Sequence, residues 1–252
     1  MKYLIKKAIS LLEKKGYGVI HPSQYRSDME KEFFLLWEKV EKYTMISVER
    51  GYNIYKSVEY IIKNSIEGDF VECGVWKGGS CMLIALTLLE FGIRDRKIFL
   101  YDTFAGMTEP GEYDCVAWTG TNMQQRWINS RTNNGEYLWS AGLDEVRENM
   151  YSTGYPPQMI EFKCGDVCAV LDKTGGRPEA IALLRLDTDW YESTKKELEV
   201  LFPLLVKRGI LTIDDFGHFT GARKAVLEYF SGSENTVFLD RIDYTGRCGV
   251  KI

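Results

Sequence analysis

The sequence predicts an α/β fold, a mostly parallel seven-stranded sheet whose last strand is antiparallel. Two observations carry this. From residue 68 onward, short β-rich runs alternate with helical patterns, a rhythm that produces parallel strands covered by helices on both faces. The last two β-rich runs are separated only by Asp243-Tyr-Thr-Gly246. That link is too short for a crossover, so the final strand must turn back.

The strands are expected at 69–74, 97–102, 159–163, 180–187, 209–215, 236–242 and 247–252. Each is a short run rich in Val, Ile, Leu, Phe or Tyr bounded by turn residues. Helices are expected at 80–90, 143–151, 194–206 and 222–229, with Thr194-x-x-Glu197 as a capping box for the third. Two segments fall outside this rhythm. Residues 1–67 read as a helical N-terminal extension to a domain spanning 68–252. Its first part alternates Lys with apolar residues, placing Leu4, Ile5, Ile9 and Leu12 on one side of a helix. Residues 103–142 form an insertion rich in aromatics, including Tyr113, Trp118, Trp127, Tyr137 and Trp139, and read as an ordered lid.

Composition narrows the function. The chain has 252 residues, 45% of them apolar, enough for a real core. Its 36 acids against 32 bases give a formal charge of −4. Binding to nucleic-acid backbones needs clustered Lys and Arg, so no nucleic-acid partner is expected. No run approaches about 18 apolar residues, so no membrane span is expected. The six Cys show no C-x-x-C, and with no secretory signal they read as reduced thiols in a cytoplasmic protein. Two His, His21 and His218, exclude a multi-histidine metal centre. No G-x-S-x-G marks a hydrolase.

The candidate chemistry lies at strand ends. Glu72-Cys-Gly74-Val-Trp-Lys-Gly78-Gly79-Ser80 follows the first strand and opens a helix. Glycines there let backbone approach a ligand, and the helix start offers free N–H groups. The spacing matches neither G-x-G-x-x-G nor a P-loop. Asp102 ends the second strand, where a carboxylate is placed to bind ribose hydroxyls. Gly165-Asp166 follows the third, where Asp166 suits either an adenine amino group or a turn. The strongest signal is acidic: Asp187 and Asp189 end the fourth strand, and Asp214 and Asp215 the fifth. Such carboxylates converge at one sheet edge and repel. A hard dication would hold them together, Mg²⁺, Mn²⁺ or Ca²⁺ rather than zinc. Helix capping accounts for one or two of these acids, not all four. His218 falls near the same edge as a substrate contact or base.

Taken together, these segments resemble the macrocin O-methyltransferase family. The resemblance rests on 68–79, Tyr101-Asp-Thr-Phe-Ala-Gly106, Arg185-Leu-Asp-Thr-Asp-Trp-Tyr-Glu-Ser-Thr194, Ile213-Asp-Asp-Phe-Gly217, Gly221-Ala-Arg-Lys-Ala225 and Tyr43-Thr-Met45. It runs from about residue 40 to 230 and is specific in combination and order. It implies a Rossmann-like class I methyltransferase fold, S-adenosylmethionine and Mg²⁺ as cofactors, and a sugar hydroxyl as acceptor. The turn holding Glu72, Gly74, Gly78, Gly79 and Ser80 would take the methionine part of the cofactor. Asp102 would bind its ribose, with Met45, Thr103, Asp166 and Asp187 completing the cofactor site. Asp187, Asp214 and Asp215 would hold Mg²⁺. Asp189 would be the general base, with His218 as its rival. The helical N-terminus would serve the acceptor pocket or a homo-oligomer interface. A catechol-type methyltransferase acting on a phenol and a non-catalytic cofactor-binding module are the competing readings.

Overall fold

The computed structural model describes residues 14, 26–132, 139–173, 175–232 and 237–252. The amphipathic stretch through Leu4 and Leu12, His21 and Tyr137 lie outside these residues. The chain divides into two compact units, 1–34 and 35–252, and the sheet and its helical layers belong to the second. The elements are α1 (Lys31–Val40), α2 (Val48–Lys63), β1 (Asp69–Cys73), α3 (Gly79–Glu90), β2 (Ile98–Asp102), α4 (Gln124–Thr132), α5 (Leu143–Ser152), β3 (Ile160–Cys164), α6 (Val167–Leu171), β4 (Ile181–Leu186), α7 (Tyr191–Val200), β5 (Leu205–Ile213), α8 (Thr220–Tyr229), β6 (Val237–Arg241) and β7 (Arg247–Lys251).

All seven expected strands form one sheet in the order β3-β2-β1-β4-β5-β7-β6. Every pairing is parallel except those of β7, which runs antiparallel to both β5 and β6. The central strands are buried on both faces, β4 along its whole length, as parallel strands under helices must be. One face packs Val71, Phe99, Leu184 and Leu211 against Leu198 and Val226 of the helical layer formed by α6, α7 and α8, and against Phe202 in the turn after α7. On the other side α2 packs against α3, and α3 against α5. Helix α2 thus belongs to the same compact unit as the sheet.

The third predicted helix is corrected in two respects. It begins at Tyr191, with Trp190 at its N-cap, so Thr194 is one turn inside it and donates its N–H to the Trp190 carbonyl. The expected capping box therefore does not form. The helix start is served instead by Asp114 from the insertion, whose carboxylate accepts from Tyr191 N at 2.9 Å. The helix also ends at Val200 rather than 206. Pro203 follows in a short 3-10 turn, and a proline there cannot donate the N–H that continuation requires. Strand β5 consequently starts earlier, at Leu205, with Arg208 at φ +69° and a register shift against β4.

The insertion is ordered over its described residues. Antiparallel bridges join Cys115 to Asn122 and Val116 to Phe219, and α4 lies within it. Asp114, buried, also accepts from Gly111 N at 2.6 Å. Gly221 of α8 has no room for a Cβ, because Asp114 occupies that space.

Candidate functional site

Strand register decides which side chains meet. Cys73 pairs with Leu186 and Leu186 with Ile213, so the next residues, Gly74, Asp187 and Asp214, stand side by side at the carboxyl edge. The ladder continues one residue further: Asp187 N donates to Cys73 O at 2.8 Å and Asp214 N to Leu186 O at 2.9 Å. The sheet order reverses direction between β1 and β4, and such a switch point opens a crevice for ligands. Gly74 sits at that crevice with φ +81°, and a Cβ there would overlap the Asp187 carbonyl. Only glycine permits this approach.

A cavity of about 250 Å³ occupies the crevice. It is lined by Met45, Gly74, Ser80, Asp102, Thr103, Asp166, Asp187, Asp189, Asp214, Asp215 and His218 among the residues singled out from the sequence. Glu72, Gly78 and Gly79 are not in its lining. Gly78 caps α3 at φ +83°, and a Cβ on Gly79 would collide with the Tyr43 backbone. Glu72 points into the protein and accepts from Ser80 Oγ, from Cys81 Sγ and, at 2.7 Å, from Arg185.

Asp102 acts as a hub for two loops. Its Oδ2 accepts from Val75 N (2.7 Å) and Trp76 N (3.2 Å), and its Oδ1 from Phe104 N (2.8 Å). The Thr103 hydroxyl also lies 3.4 Å from Oδ1, but its single proton has a shorter acceptor in Gly106 O at 2.6 Å. A carboxylate has about four acceptor sites, so one remains for a ligand hydroxyl. Asp166 caps α6 by accepting from Cys168 N at 2.8 Å, so the turn role is real, and the residue still faces the cavity.

The acidic edge is built differently. Oxygens of Asp187, Asp214 and Asp215 all lie within 4.8 Å of one another, the one group among the described residues placed to hold a metal ion. Two arginines that sequence reasoning missed stand among them. Arg185 of β4 is 2% exposed. It donates to Asp187 at 2.6 Å, to Glu72 at 2.7 Å and to Asp214. Arg50 of α2 donates to Asp214 and, at 3.0 Å, to Asp243. The acids are therefore partly neutralised within the chain, which the pattern of acids alone does not reveal. Arg185 sits in the Arg-x-Asp-x-Asp run and was readable as a candidate partner. Arg50 lies 164 residues from Asp214 and gave no signal.

The neutralisation is incomplete. Glu72, Asp187, Asp189, Asp214 and Asp215 outnumber the two guanidiniums. Burial pushes the Asp187 carboxyl well above its usual range, against the pull of Arg185, and Asp214 and Asp215 add to the rise. Burial and the Asp215 carboxylate beside it push Asp189 up likewise. Asp189 also has φ +69°, a conformation L-residues seldom adopt, and strain of this kind collects at functional sites. His218 is pushed below its usual value by burial, with Asp215 opposing. Its Nδ1 lies 3.1 Å from the Tyr244 hydroxyl. His218 and Tyr244 line the cavity, and Trp118, 61% exposed and itself outside the lining, forms a rim beside them: it packs edge-on against His218 with centroids 4.6 Å apart and lies 6.0 Å from Tyr244. Ala117 N donates to His218 O at 2.8 Å, which ties the insertion to this rim.

Sheet order, crevice and strand-end residues define a class I O-methyltransferase fold. The chain matches the macrocin-O-methyltransferase family model over residues 10–248 and belongs to that family; it is an O-methyltransferase. It is 31% identical over 203 residues to demethyldecarbamoylnovobiocin O-methyltransferase of Streptomyces niveus, covering 79% of this chain and 73% of that protein. It is also 31% identical over 211 residues to 8-demethyl-8-(2,3-dimethoxy-alpha-L-rhamnosyl)-tetracenomycin-C 4'-O-methyltransferase of Streptomyces olivaceus, covering 83% and 76% respectively. Among solved structures, the O-methyltransferase NovP superposes with a TM-score of 0.70 at 30% identity, over 83% of this chain and 82% of that one. Among the described residues, no helix is long and apolar enough to cross a membrane.

Proposed function

We propose that the protein transfers a methyl group from S-adenosylmethionine to a sugar hydroxyl of a glycosylated natural product, with a divalent cation, Mg²⁺ in the first instance, at Asp187, Asp214 and Asp215. The observation that carries this reading is the convergence of these three carboxylates inside the cavity that also contains Asp102 and Gly74. The donor set suits a hard cation, being all oxygen. The acid surplus left by Arg50 and Arg185 gives the cation something to neutralise. The two relatives act, by name, on a novobiocin precursor and on a rhamnosyl-bearing tetracenomycin, which supports a glycosylated acceptor.

S-adenosylmethionine supplies an electrophilic methyl on a sulfonium. A cation held by Asp187, Asp214 and Asp215 would lower the pKa of an acceptor hydroxyl beside it. The chain's own residues do the rest. The Gly74 turn and Asp102 form the wall against which the cofactor would lie, with Ser80, Thr103 and Asp166 along it. Asp189, lining the cavity beside Asp215, would take the proton of the acceptor hydroxyl, making that oxygen nucleophilic enough to receive the methyl group. General-base help of this kind contributes about 10²–10⁴-fold. His218, pushed below its usual value by burial and facing the Tyr244 hydroxyl, is the other candidate base within the cavity. Trp118, His218 and Tyr244 present an aromatic rim to the bulk of the acceptor, and the insertion that carries Trp118 would cover the site.

Incubation with methyl-labelled S-adenosylmethionine, Mg²⁺ and a panel of glycosylated and phenolic acceptors tests the reading. Label is expected on a glycoside and not on a simple catechol. Label on the catechol alone would replace the sugar with a phenol as the acceptor class.

A further inference from the structure

We infer that Arg50 is a resident counter-ion of the metal site: it holds Asp214 until a dication arrives and then releases it, staying paired through its existing bond to Asp243. The inference rests on the proposed cation site and concerns how that site is kept in order.

Both carboxylate oxygens of Asp214 already carry a guanidinium. Its Oδ1 accepts from Arg185 and its Oδ2 from Arg50. A dication ligated by Asp214 would stand directly beside a guanidinium of like charge, which favours the withdrawal of one of the two arginines. Arg185 is poorly placed to move, because it also anchors buried Glu72 and Asp187, and releasing it would leave buried acids unpaired. Arg50 has a second anchor. Its Nε already donates to Asp243 Oδ2 at 3.0 Å while a terminal nitrogen reaches Asp214. Letting go of Asp214 therefore leaves the guanidinium paired.

Asp243 is built to be that anchor. Its Oδ1 accepts from Thr245 N (2.9 Å) and Gly246 N (2.7 Å), and its Oδ2 from Ser47 Oγ (2.7 Å). Ser47 is the N-cap of α2 and also accepts from Arg50 N at 3.2 Å. The arginine stem is confined too: a Cβ on Gly246 would press on the Arg50 Cδ and Cγ. Arg50 can shift its terminal nitrogens without moving its stem, and it lines the cavity. In this account Arg50 is a positioning residue. It keeps Asp214 aimed at the site while the cation is absent and withdraws without an uncompensated charge.

The test is a double-mutant cycle on Mn²⁺ binding, read by electron paramagnetic resonance of free Mn²⁺ with no acceptor or cofactor present. Arg50→Gln removes the competitor and should tighten Mn²⁺ binding by roughly fivefold or more. Asp243→Asn removes the fallback and should weaken it by a similar factor. Asn keeps the Oδ1 acceptor for the Thr245 and Gly246 amides, so the turn is preserved, and an unchanged Tm checks this. In the Arg50→Gln background Asp243→Asn should have little further effect. Simple charge effects would instead multiply across the cycle, and that result overturns the inference. Arg50→Lys, which keeps the charge without the two-pronged reach, should bind Mn²⁺ unlike the wild type; identical affinity would also overturn it. No Mn²⁺ binding by the wild-type protein would sink the cation site itself, and the inference with it.

Discussion

The two halves of the sheet's carboxyl edge solve one problem in different ways. At the β1–β2 half, Asp102 is held by backbone amides from the two loops that follow these strands. At the β4–β5 half, Asp187 and Asp214 are held by side-chain cations, one from within β4 and one from a helix far earlier in the chain. Backbone amides are present whatever the side chains are. A carboxylate that binds them therefore sets loop shape and leaves its surroundings tolerant. Guanidiniums are specific and charged, so the acidic half depends on particular residues and its groups titrate together.

The contrast can be broken or sharpened by substitution, and the largest effect belongs to catalysis. Asp189→Asn should lower kcat by about 10²–10⁴-fold with little change in S-adenosylmethionine affinity by calorimetry. A variant whose main defect is Mg²⁺ affinity would make Asp189 a ligand. Next comes Arg185→Leu, which leaves Glu72, Asp187 and Asp214 without a buried partner. Urea unfolding should show a loss of about 3–5 kcal/mol; a loss below that of Asp102→Asn would erase the distinction between the halves. Asp102→Asn exchanges one acceptor oxygen for a donor that faces backbone N–H groups. It should cost about 1–3 kcal/mol and weaken cofactor binding.

The smallest effect is a pH slope. Glu197 of α7 is 0% exposed. One oxygen accepts from Thr188 Oγ1 at 2.8 Å, and the Cys73 thiol lies beside the carboxyl. Burial pushes its carboxyl well above the usual glutamate value. The folded state therefore holds a proton that the unfolded state releases. Stability from this group is full below the ordinary glutamate pKa and is lost as pH rises toward the raised value. Glu197→Gln should flatten that slope in thermal unfolding measured from pH 5 to 8. A slope as steep as the wild type's would show that Glu197 is not its source.

The same contrast explains what was legible in the sequence. The strands were readable because each is a short apolar run between turn residues. Gly74, Asp102 and the Asp187, Asp189, Asp214 and Asp215 set were readable because strand ends in a parallel sheet share one edge. Arg50 was not, because an ion pair 164 residues apart leaves no local pattern. The capping box misleads for a related reason. Thr194 and Glu197 have the right spacing, but a distant carboxylate, Asp114, serves the helix start. Gly78 and Gly79 look like ligand-approach glycines, yet neither lines the cavity: one caps a helix in a left-handed conformation and the other makes room for the Tyr43 backbone.

The central claim is that the carboxylates of Asp187, Asp214 and Asp215 act through a bound cation. Methyl transfer from labelled S-adenosylmethionine to an accepted glycoside, measured with and without chelator in the wild type and in the Asp214→Asn/Asp215→Asn variant, tests it most directly. Activity should vanish in chelator, return with added Mg²⁺, and stay absent in the variant at any Mg²⁺ concentration while cofactor binding persists. Full activity in chelator would contradict the account.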